Sequence, residues 1–279
     1  PQPNFFNTAV SRYTYNYLFQ ETPKMSWHQE VVRLDYNATD KLKLYGRAYT
    51  GYQPQEGYFG DAQGQAWPFL YSVVNWQTPG VAVGGTYTAT PTVVLEFSAG
   101  FIAQSIIVQP GGAKGWDAVD RNKLGVTIPQ IYPANNPAGV VPTATFGGVS
   151  NAARIGVRKD FPDHYYGPRS TSNTTLSKVW GPHTFKVGLY AEKHRYFRPS
   201  QTDYTGSIAF DNDGNNALNT GYAYSNALTG AFRQYTEADQ HPRYDLRMTT
   251  LQWFAQDTWK VTRRLTLDVG MRFAWAASY

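Results

Sequence analysis

The side chains that most often perform catalysis or bind metals are scattered along this chain. There are five histidines and no cysteine, and no two histidines have the spacing of a zinc site on a helix. No serine lies in a Gly-x-Ser-x-Gly nucleophile turn. We therefore predict no enzyme activity, no catalytic residue, no cofactor and no metal site. The histidines are interpreted as loop or rim residues: His28, His164, His183, His194 and His241.

Two short segments resemble ligand-binding loops. The segment Gly111–Gly115 resembles a phosphate loop, but it lacks the Gly-Lys-Ser/Thr ending and a following helix. The segment Asp211–Asn216 resembles a calcium loop, but its glycine comes early and Tyr222 occupies the position of the bidentate glutamate. We interpret the second segment as a turn rich in residues that tolerate positive φ, and a loose calcium site there stays open.

Polar side chains that alternate with apolar ones are more informative. Successive side chains of a strand point to opposite faces, so each such group shares one face. In a soluble sandwich these faces would meet water, and in a barrel they would line the lumen and contact a plug or a polar solute. We favour the lumen because the opposite faces are too apolar to meet water. The predicted lumen-facing residues are Lys43, Tyr45, Arg47, Tyr49, Glu96, Lys186, Tyr190, Glu192, Asp268 and Arg272.

The strand that carries the last of these residues has the clearest pattern in the chain. Its apolar side chains are Leu265, Leu267, Val269, Met271, Phe273 and Trp275, and they alternate with residues such as Asp268 and Arg272. A strand needs about 9–11 residues to cross a bilayer obliquely, which this pattern matches. The preceding segment Thr249–Lys260 is predicted to pair with it across the turn Val261–Arg264.

The same hairpin pattern occurs three more times, with tight turns predicted near Thr39, Pro91 and Pro182. Long connections separate the hairpins, namely Tyr52–Gly80, Ile107–Ser172 and Arg198–Arg243. Short turns that alternate with long loops are typical of transmembrane β-barrels, in which the turns are periplasmic and the loops extracellular. A first strand at Tyr13–Gln20 brings the predicted total to about nine. A short helix at Thr220–Thr229, capped by Asn219 and stopped by Gly230, is predicted inside the last loop.

The composition agrees with an exported strand protein. Aromatic residues make up 16% of the 279 residues and charged residues also 16%, well under the usual quarter. No apolar run reaches the roughly 18 residues of a membrane helix. The net charge of +5 is spread along the chain, so no nucleic-acid partner is predicted. The chain begins at Pro1 without a signal peptide, and we expect it to be a piece of a longer protein.

Aromatic residues fall into two groups. Those beside predicted turns or strand ends fit an interfacial girdle, although they could also form a sandwich core: Tyr36, Tyr87, Trp180, Trp259 and Trp275. Those in the first long connection are candidates for solute recognition, although most loop aromatics only pack their own loop: Tyr52, Tyr58, Phe59, Trp67 and Trp76.

The hairpin Trp253–Phe273 resembles one that is typical of TonB-dependent outer-membrane receptors. Further segments resemble the Oar-like branch of that superfamily: Val32–Lys41, Arg121–Gly125, Ile131–Asn136, Phe146–Asn151 and Lys178–Gly188. The resemblance implies a barrel of about 22 strands with an N-terminal plug and an energy-coupling box that contacts TonB. Neither the plug nor the box can be matched in this chain.

We therefore predict an all-β, antiparallel up-and-down meander that forms part of a transmembrane β-barrel. Residues 1–279 would be a partial barrel domain without the plug, the TonB box or the signal peptide. The predicted function is substrate uptake across the bacterial outer membrane, with outer-membrane lipid, the protein's own plug, TonB and an unidentified solute as partners. The alternatives are a secreted β-sandwich or adhesin that binds carbohydrate and a passive porin.

Overall fold

A computed structural model describes residues 2–12, 15–22, 24–58, 70–150, 152 and 154–278. The strands in this part of the chain are β1 (Lys24–Met25), β2 (His28–Asn37), β3 (Leu42–Gly57), β4 (Ser72–Gln77), β5 (Gly80–Thr90), β6 (Val93–Pro110), β7 (Thr143–Phe146), β8 (Asp163–Trp180), β9 (His183–Pro199), β10 (Ser207–Phe210), β11 (Gln234–Thr236), β12 (Arg243–Lys260) and β13 (Thr266–Ser278). The α-helices are α1 (Thr8–Ser11) and α2 (Ala223–Thr229), and short 3-10 helices cover Gly115–Ala118 and Pro133–Asn135. None of the described helices has the length and apolar character that crossing a membrane requires.

The main sheet contains ten of these strands, and every pair in it is antiparallel. The four predicted hairpins are β2–β3, β5–β6, β8–β9 and β12–β13, and all four are confirmed. In the third hairpin only Gly181 and Pro182 separate the strands, and Gly181 adopts a φ of 56°, which favours glycine. We call the end of the sheet that carries these tight turns the turn end, and the opposite end of the strands the loop end.

Two of the long strands are interrupted near the loop end. The pairs Lys24–Glu56 and His28–Tyr52 keep one register, so β1 and β2 form a single strand beside β3. The same holds for β4 and β5, which pair with β3 on one side and β6 on the other. Proline explains both gaps, because Pro54 lies opposite the first gap and Pro79 lies in the second, and neither has an N–H for the ladder. When β1–β2 and β4–β5 are each counted as one interrupted strand, the ten strands of the main sheet form eight long strands in the described residues.

The prediction of about nine strands was wrong at the N-terminus. Residues 15–20 form no strand, and Tyr13 and Thr14 lie outside the described residues. The side chain of Asn4 instead donates to the carbonyl of Leu18 and accepts from its N–H, each over 2.8 Å. This amide satisfies the backbone groups that a neighbouring strand would otherwise pair.

The main sheet is a single layer with two different faces. The apolar face carries the alternating apolar residues and is open, with Leu34 73%, Leu189 63% and Val269 67% exposed. The other face is called the polar face. Because no second sheet covers the apolar side chains in the described part of the chain, the sandwich alternative is wrong. The sheet is also open there, since β2 pairs only with β3 and β13 only with β12.

A small cap, formed by residues 111–150, 152, 154–162 and 200–242, lies at the loop end. Its sheet has the order β11–β10–β7, and β7 and β10 are parallel, which departs from the purely antiparallel prediction. The apolar core of the described residues packs between the cap and the loop ends of β4 and β6: Leu70, Val74, Val108, Ala118, Val119, Val140, Val141, Val157 and Phe161. Val74 and Val108 are paired and lie on the polar face, so the cap packs over that face.

The helix predicted in the last loop is present but shorter. It begins at Ala223 instead of Thr220 and ends at Thr229, and the following Gly230, with a φ of 76°, gives the predicted left-handed stop. Asn219 does not cap it. The buried side chain of Asn226 accepts from the N–H of Thr220 and donates to Asn219, which holds residues 219–221 outside the helix.

Candidate functional site

The cross-strand register places the ten predicted lumen-facing residues on the polar face of the sheet. One row of paired residues runs Lys43, Thr86, Glu96, Thr175, Gly188, Phe254 and Arg272 across β3 to β13. Side chains two residues away along each strand return to the same face, which adds the remaining members. The register thus shows that these residues share one face and which of them are neighbours, and their position in a lumen stays a prediction.

On β3 the polar face is lined by tyrosine rings that lie over glycines. A Cβ atom at Gly84 would come within 2.7 Å of the Tyr45 ring, and one at Gly80 within 2.5 Å of the Tyr49 ring. The guanidinium of Arg33 lies 4.4 Å from the centroid of the Tyr45 ring and forms an ion pair of 2.7 Å with Asp35. Glycine opposite tyrosine thus lets the rings lie flat along the surface of the sheet.

On β8 to β13 the polar face carries a hydrogen-bonded network. Tyr190 donates to Glu192 over 2.5 Å, and Thr258 donates to Asp268 over 2.5 Å. Arg272 donates to Gln252 over 3.1 Å. Four of the predicted residues line one open depression of about 590 Å³: Glu96, Lys186, Asp268 and Arg272. Asp268 and Arg272 thus have polar partners on this face, which order part of a surface that water can wet.

Phe254 breaks the alternation of β12, and the structure gives the reason. Its ring lies on the polar face against Gly188, where a Cβ atom would come within 2.2 Å of the ring. The guanidinium of Arg272 lies 4.9 Å from its centroid. An aromatic residue on this face fills the space that glycine leaves and supports a cation.

The five candidate recognition aromatics do not form one loop. Tyr52 lies in β3 and Trp76 in β4, because these strands continue beyond the point where the sequence stops alternating. Tyr58 follows β3, and its ring packs edge-on against Phe19 and Tyr71. Phe59 and Trp67 lie outside the described residues. Among these aromatics, Trp76 packs against the cap core.

A small cavity lies where the two long strands are interrupted. The gap at residues 26–27 lies beside Gln53 and Pro54 of β3. The gap at residues 78–79 lies beside Thr50 and Gly51 on the other side of that strand, so the ladder leaves a depression around residues 50–54. Its volume is about 180 Å³, and it is lined by Trp27, Gly51, Tyr52, Gln53, Trp76, Thr78 and Gln104. All of these side chains are uncharged, and they combine indole rings with amide and hydroxyl groups. The cavity has no periodic pattern in the sequence, and the positions of the prolines are the only signal that points to it.

A buried ion network joins the cap to the sheet. Asp160 and Asp163 are 0% and 2% exposed, and each is paired with Arg158 and Arg198. The Arg158 pairs measure 2.5 Å to Asp160 and 2.8 Å to Asp163, and the Arg198 pairs 3.0 Å and 2.5 Å. Two cations balance two carboxylates, so each charge has its partners within the network, and the network has a structural role. Sequence reasoning missed it because these residues have no periodic spacing.

Glu237 joins the two loops of the cap. Its carboxylate accepts from the N–H groups of Ile131 and Tyr132 over 2.9 Å and 2.8 Å, and from the hydroxyl of Tyr235. Burial opposes its ionisation, but these hydrogen bonds outweigh burial and lower the pKa of Glu237. Burial and the neighbouring Glu237 raise the pKa of Tyr235 to about 12.

His241 lies at the end of the cap next to β12. Its ring stacks on Tyr204 with 3.9 Å between centroids, and its Nδ1 lies 3.1 Å from the Thr202 hydroxyl. Burial, and then the charge of Arg243, lower the pKa of His241.

The possible calcium loop is engaged in other contacts. Asp211 forms an ion pair of 3.0 Å with Arg233 and caps the N–H of Asn212. Asp213 accepts from the N–H of Asn215, as in an Asx turn. Within the described ranges, no three acidic or histidine side chains are grouped as a metal site would require.

The outer membrane beta barrel domain family matches residues 1–279, which is the whole chain. The chain belongs to this family. The open apolar face is thereby explained, because the wall of such a barrel meets lipid on its apolar side. The protein is located in the bacterial outer membrane, the loop end is extracellular and the turn end periplasmic. No curated protein matches this chain.

Two solved structures are similar to the chain at low sequence identity. The outer membrane transporter YddB from Escherichia coli is 11% identical, with a TM-score of 0.47, and the match covers 91% of this chain and 28% of that one. The copper transporter OprC is 12% identical, with a TM-score of 0.47, and the match covers 92% and 29%. The chain thus spans less than a third of the length of either transporter.

The aromatic residues of the predicted girdle lie on the apolar face. Tyr36, Tyr87, Trp180 and Trp259 lie beside the tight turns at the periplasmic end, and their exposed fractions range from 40% to 71%. Trp275, 50% exposed, lies toward the opposite end of β13. They mark two levels on the wall, between which the apolar band extends.

Proposed function

We propose that this chain forms part of the wall of an energy-dependent outer-membrane transporter. In this proposal the polar face lines the lumen, a plug fills the lumen, and TonB supplies the energy for solute uptake. One observation carries the proposal. A folded cap with its own apolar core packs over the extracellular end of the polar face, which is the place where a transported solute enters.

The charged residues of the polar face suit contact with a plug. Arg33 with Asp35 and Tyr190 with Glu192 keep side chains ordered on a surface that would otherwise be freely mobile in water. An ordered, wettable wall can hold a folded domain through hydrogen bonds. The resemblance of Trp253–Phe273 to TonB-dependent receptors supports the same assignment.

We place the first contact with the solute at the cavity lined by Trp27, Gln53 and Trp76. Trp76 of this cavity packs against the apolar core under the cap, and none of the lining residues is charged. Indole rings supply flat apolar surface, and the glutamine amides supply both donors and acceptors. A neutral polar solute meets both requirements without the cost of burying a charge.

The lumen assignment can be tested with neighbouring residues of β9. The chain has no cysteine, so a single cysteine at Lys186 or at Val187 is unique in it. In the full-length protein in intact outer membranes, a water-soluble maleimide should label Lys186→Cys and leave Val187→Cys unlabelled until detergent is added. Labelling of Val187→Cys alone would reverse the two faces and remove the proposal.

The alternative of a passive porin predicts a different electrical behaviour. Full-length protein in a planar bilayer should show no steady channel if a plug fills the lumen, and uptake in cells should stop when TonB is deleted. A stable open conductance, together with uptake that survives the deletion, would establish the porin instead.

A further inference from the structure

The apolar face becomes charged at the extracellular end of β9 and β12. Leu251 pairs with Ala191 and with Trp275, which is the last row of the apolar band. The next lipid-side residue of β9 is Lys193, only about 7 Å further along the strand. From Lys193 onward the same face carries four cations, Lys193 included, and one carboxylate around a phenylalanine ring. We call this group the rim patch: Lys193, Arg195, Phe197, Arg243, Asp245 and Arg247.

The rim patch has an unbalanced positive charge. Four cations less one carboxylate leave a net charge of +3. Arg195 lies directly opposite Arg247, an arrangement in which like charges repel each other. Asp245 relieves part of this repulsion by forming ion pairs with Arg195 over 2.5 Å and with Arg247 over 3.0 Å. No carboxylate in the described ranges forms an ion pair with Lys193 or Arg243, and both side chains are exposed.

The guanidinium groups of the patch are held in place before any ligand arrives. Those of Arg195 and Arg243 lie 5.4 Å and 5.5 Å from the centroid of the Phe197 ring. Arg195 also contacts Asp245 through two nitrogens, and its side chain is still 43% exposed. Arginine presents N–H donors in a fork that fits the oxygens of a phosphate. The arrangement therefore leaves donors available on ordered side chains.

At the same level of the sheet, β3 carries different residues. There the lipid-side residues are Tyr52, Pro54 and Glu56, and the one cation opposite them, Lys24, is paired across the strands with Glu56. Cations are thus concentrated on β9 and β12 and are not a general property of the extracellular rim of the described wall.

We propose that the rim patch binds the phosphate groups of a glycolipid in the outer leaflet of the membrane. The ligand must be anionic because the patch is cationic. It must also be amphiphilic, because the patch continues without a gap into the apolar band. Leu189, Trp253 and Phe273 line an apolar groove on the same face, where the acyl chains of the lipid would lie. A soluble anion would use only half of this surface.

The test uses the full-length protein in phosphatidylcholine vesicles that contain either diphosphoryl lipid A or lipid A without its phosphates. The variant Lys193→Glu with Arg243→Glu reverses two charges and leaves the Asp245 ion pairs intact. The control variant, Arg263→Glu with Arg264→Glu, makes the same charge change in the periplasmic turn. Lys193→Gln with Arg243→Gln serves as a milder variant, and protease resistance of the cap verifies folding.

Wild type and control should bind diphosphoryl lipid A about tenfold more tightly than the dephosphorylated form, and the rim variant should lose this preference. Excess inorganic phosphate should leave binding unchanged. The proposal is overturned if the dephosphorylated lipid binds equally well, or if both rim variants behave as wild type. Displacement by inorganic phosphate would also overturn it, because the patch would then be a site for free anions.

Discussion

The cap and the wall of this molecule bury their apolar side chains in opposite ways. In the cap, Val119, Val140 and Phe161 are 0% exposed, and the apolar core of the described residues lies there and at the adjoining strand ends. In the wall, apolar residues such as Leu34 and Val269 are mostly exposed. One chain therefore contains a region that folds by excluding water and a region that needs lipid as its solvent.

Because of this difference, experiments can distinguish the stability of the cap from that of the wall. The stability of the cap should follow the rules of soluble proteins, including cavity costs, buried charges and pH. The stability of the wall should depend on which solvent each face meets.

The largest effect is expected from Phe161→Ala in the cap core. The ring lies near Trp116, with 6.1 Å between centroids, and its removal leaves a cavity. We expect a loss of about 3–5 kcal/mol in the stability of the cap. Limited proteolysis of the full-length protein in detergent, followed by mass spectrometry, should show early cleavage between residues 111 and 162.

The matched control is Phe273→Ala on the apolar face, where the ring is 48% exposed. In detergent it should leave cap cleavage at the wild-type rate. If both substitutions accelerated cleavage equally, the cap and the wall would be one cooperative unit and the contrast would be wrong.

A slightly smaller effect is expected from Asp160→Ala, which unbalances the buried ion network. Arg158 and Arg198 would then share only Asp163, and we expect a loss of about 3 kcal/mol. Asp211→Ala is the control, because its partner Arg233 is 57% exposed and such pairs contribute about 0–1 kcal/mol. Unfolding of the cap, monitored by proteolysis at increasing temperature, measures the loss of stability in both variants. Equal shifts of the unfolding temperature would contradict the assigned role of burial.

The wall is tested by placing a cation on each face. Met271→Arg puts it in the middle of the apolar band, where we expect a cost of about 2–4 kcal/mol for folding into lipid vesicles. Thr175→Arg puts it on the polar face beside Glu96, where the cost should stay below about 1 kcal/mol. Urea titration of the full-length protein in vesicles gives both values. Equal costs would mean that the two faces meet the same solvent.

The smallest effect is the pH dependence of the cap. The folded cap lowers the pKa of His241 below the ordinary 6.5, so the unfolded chain binds more protons and stability falls as the pH drops below 6.5. The lowered pKa of Glu237 acts in the same direction below about 4.5. Cap proteolysis at pH 7, 6 and 4 should show two successive losses, and His241→Gln should remove the first. A pH profile unchanged in that variant would exclude His241 as the cause.

The sequence was sufficient to predict the wall because its pattern has a physical period. Lipid on one face demands alternation, and tight turns demand residues such as Gly181, so the four hairpins and the polar set were predictable. The ten polar-face residues were grouped without knowledge of the register. The alternation disappears outside the membrane, which is why β12 begins at Arg243 and not at Thr249.

The cap could not be predicted for the opposite reason. Its core joins Leu70, Val108 and Phe161, which are far apart in the chain and follow no period. The ion network of Asp160 and Arg198 is equally non-local. At the N-terminus, the apolar and aromatic residues of Tyr13–Gln20 imitated a strand, but Asn4 provides local hydrogen bonds instead.

The parallel pairing of β7 with β10 also constrains how this protein can change during evolution. The two strands belong to different extracellular loops, with the hairpin β8–β9 between them in the chain. Arg121 in the first loop donates to the carbonyl of Thr205 in the second, and Glu237 reaches back to Ile131. An insertion that displaces one loop also removes partners from the other. The lengths of these two loops should therefore vary together among related proteins, while the loop after β3 varies independently.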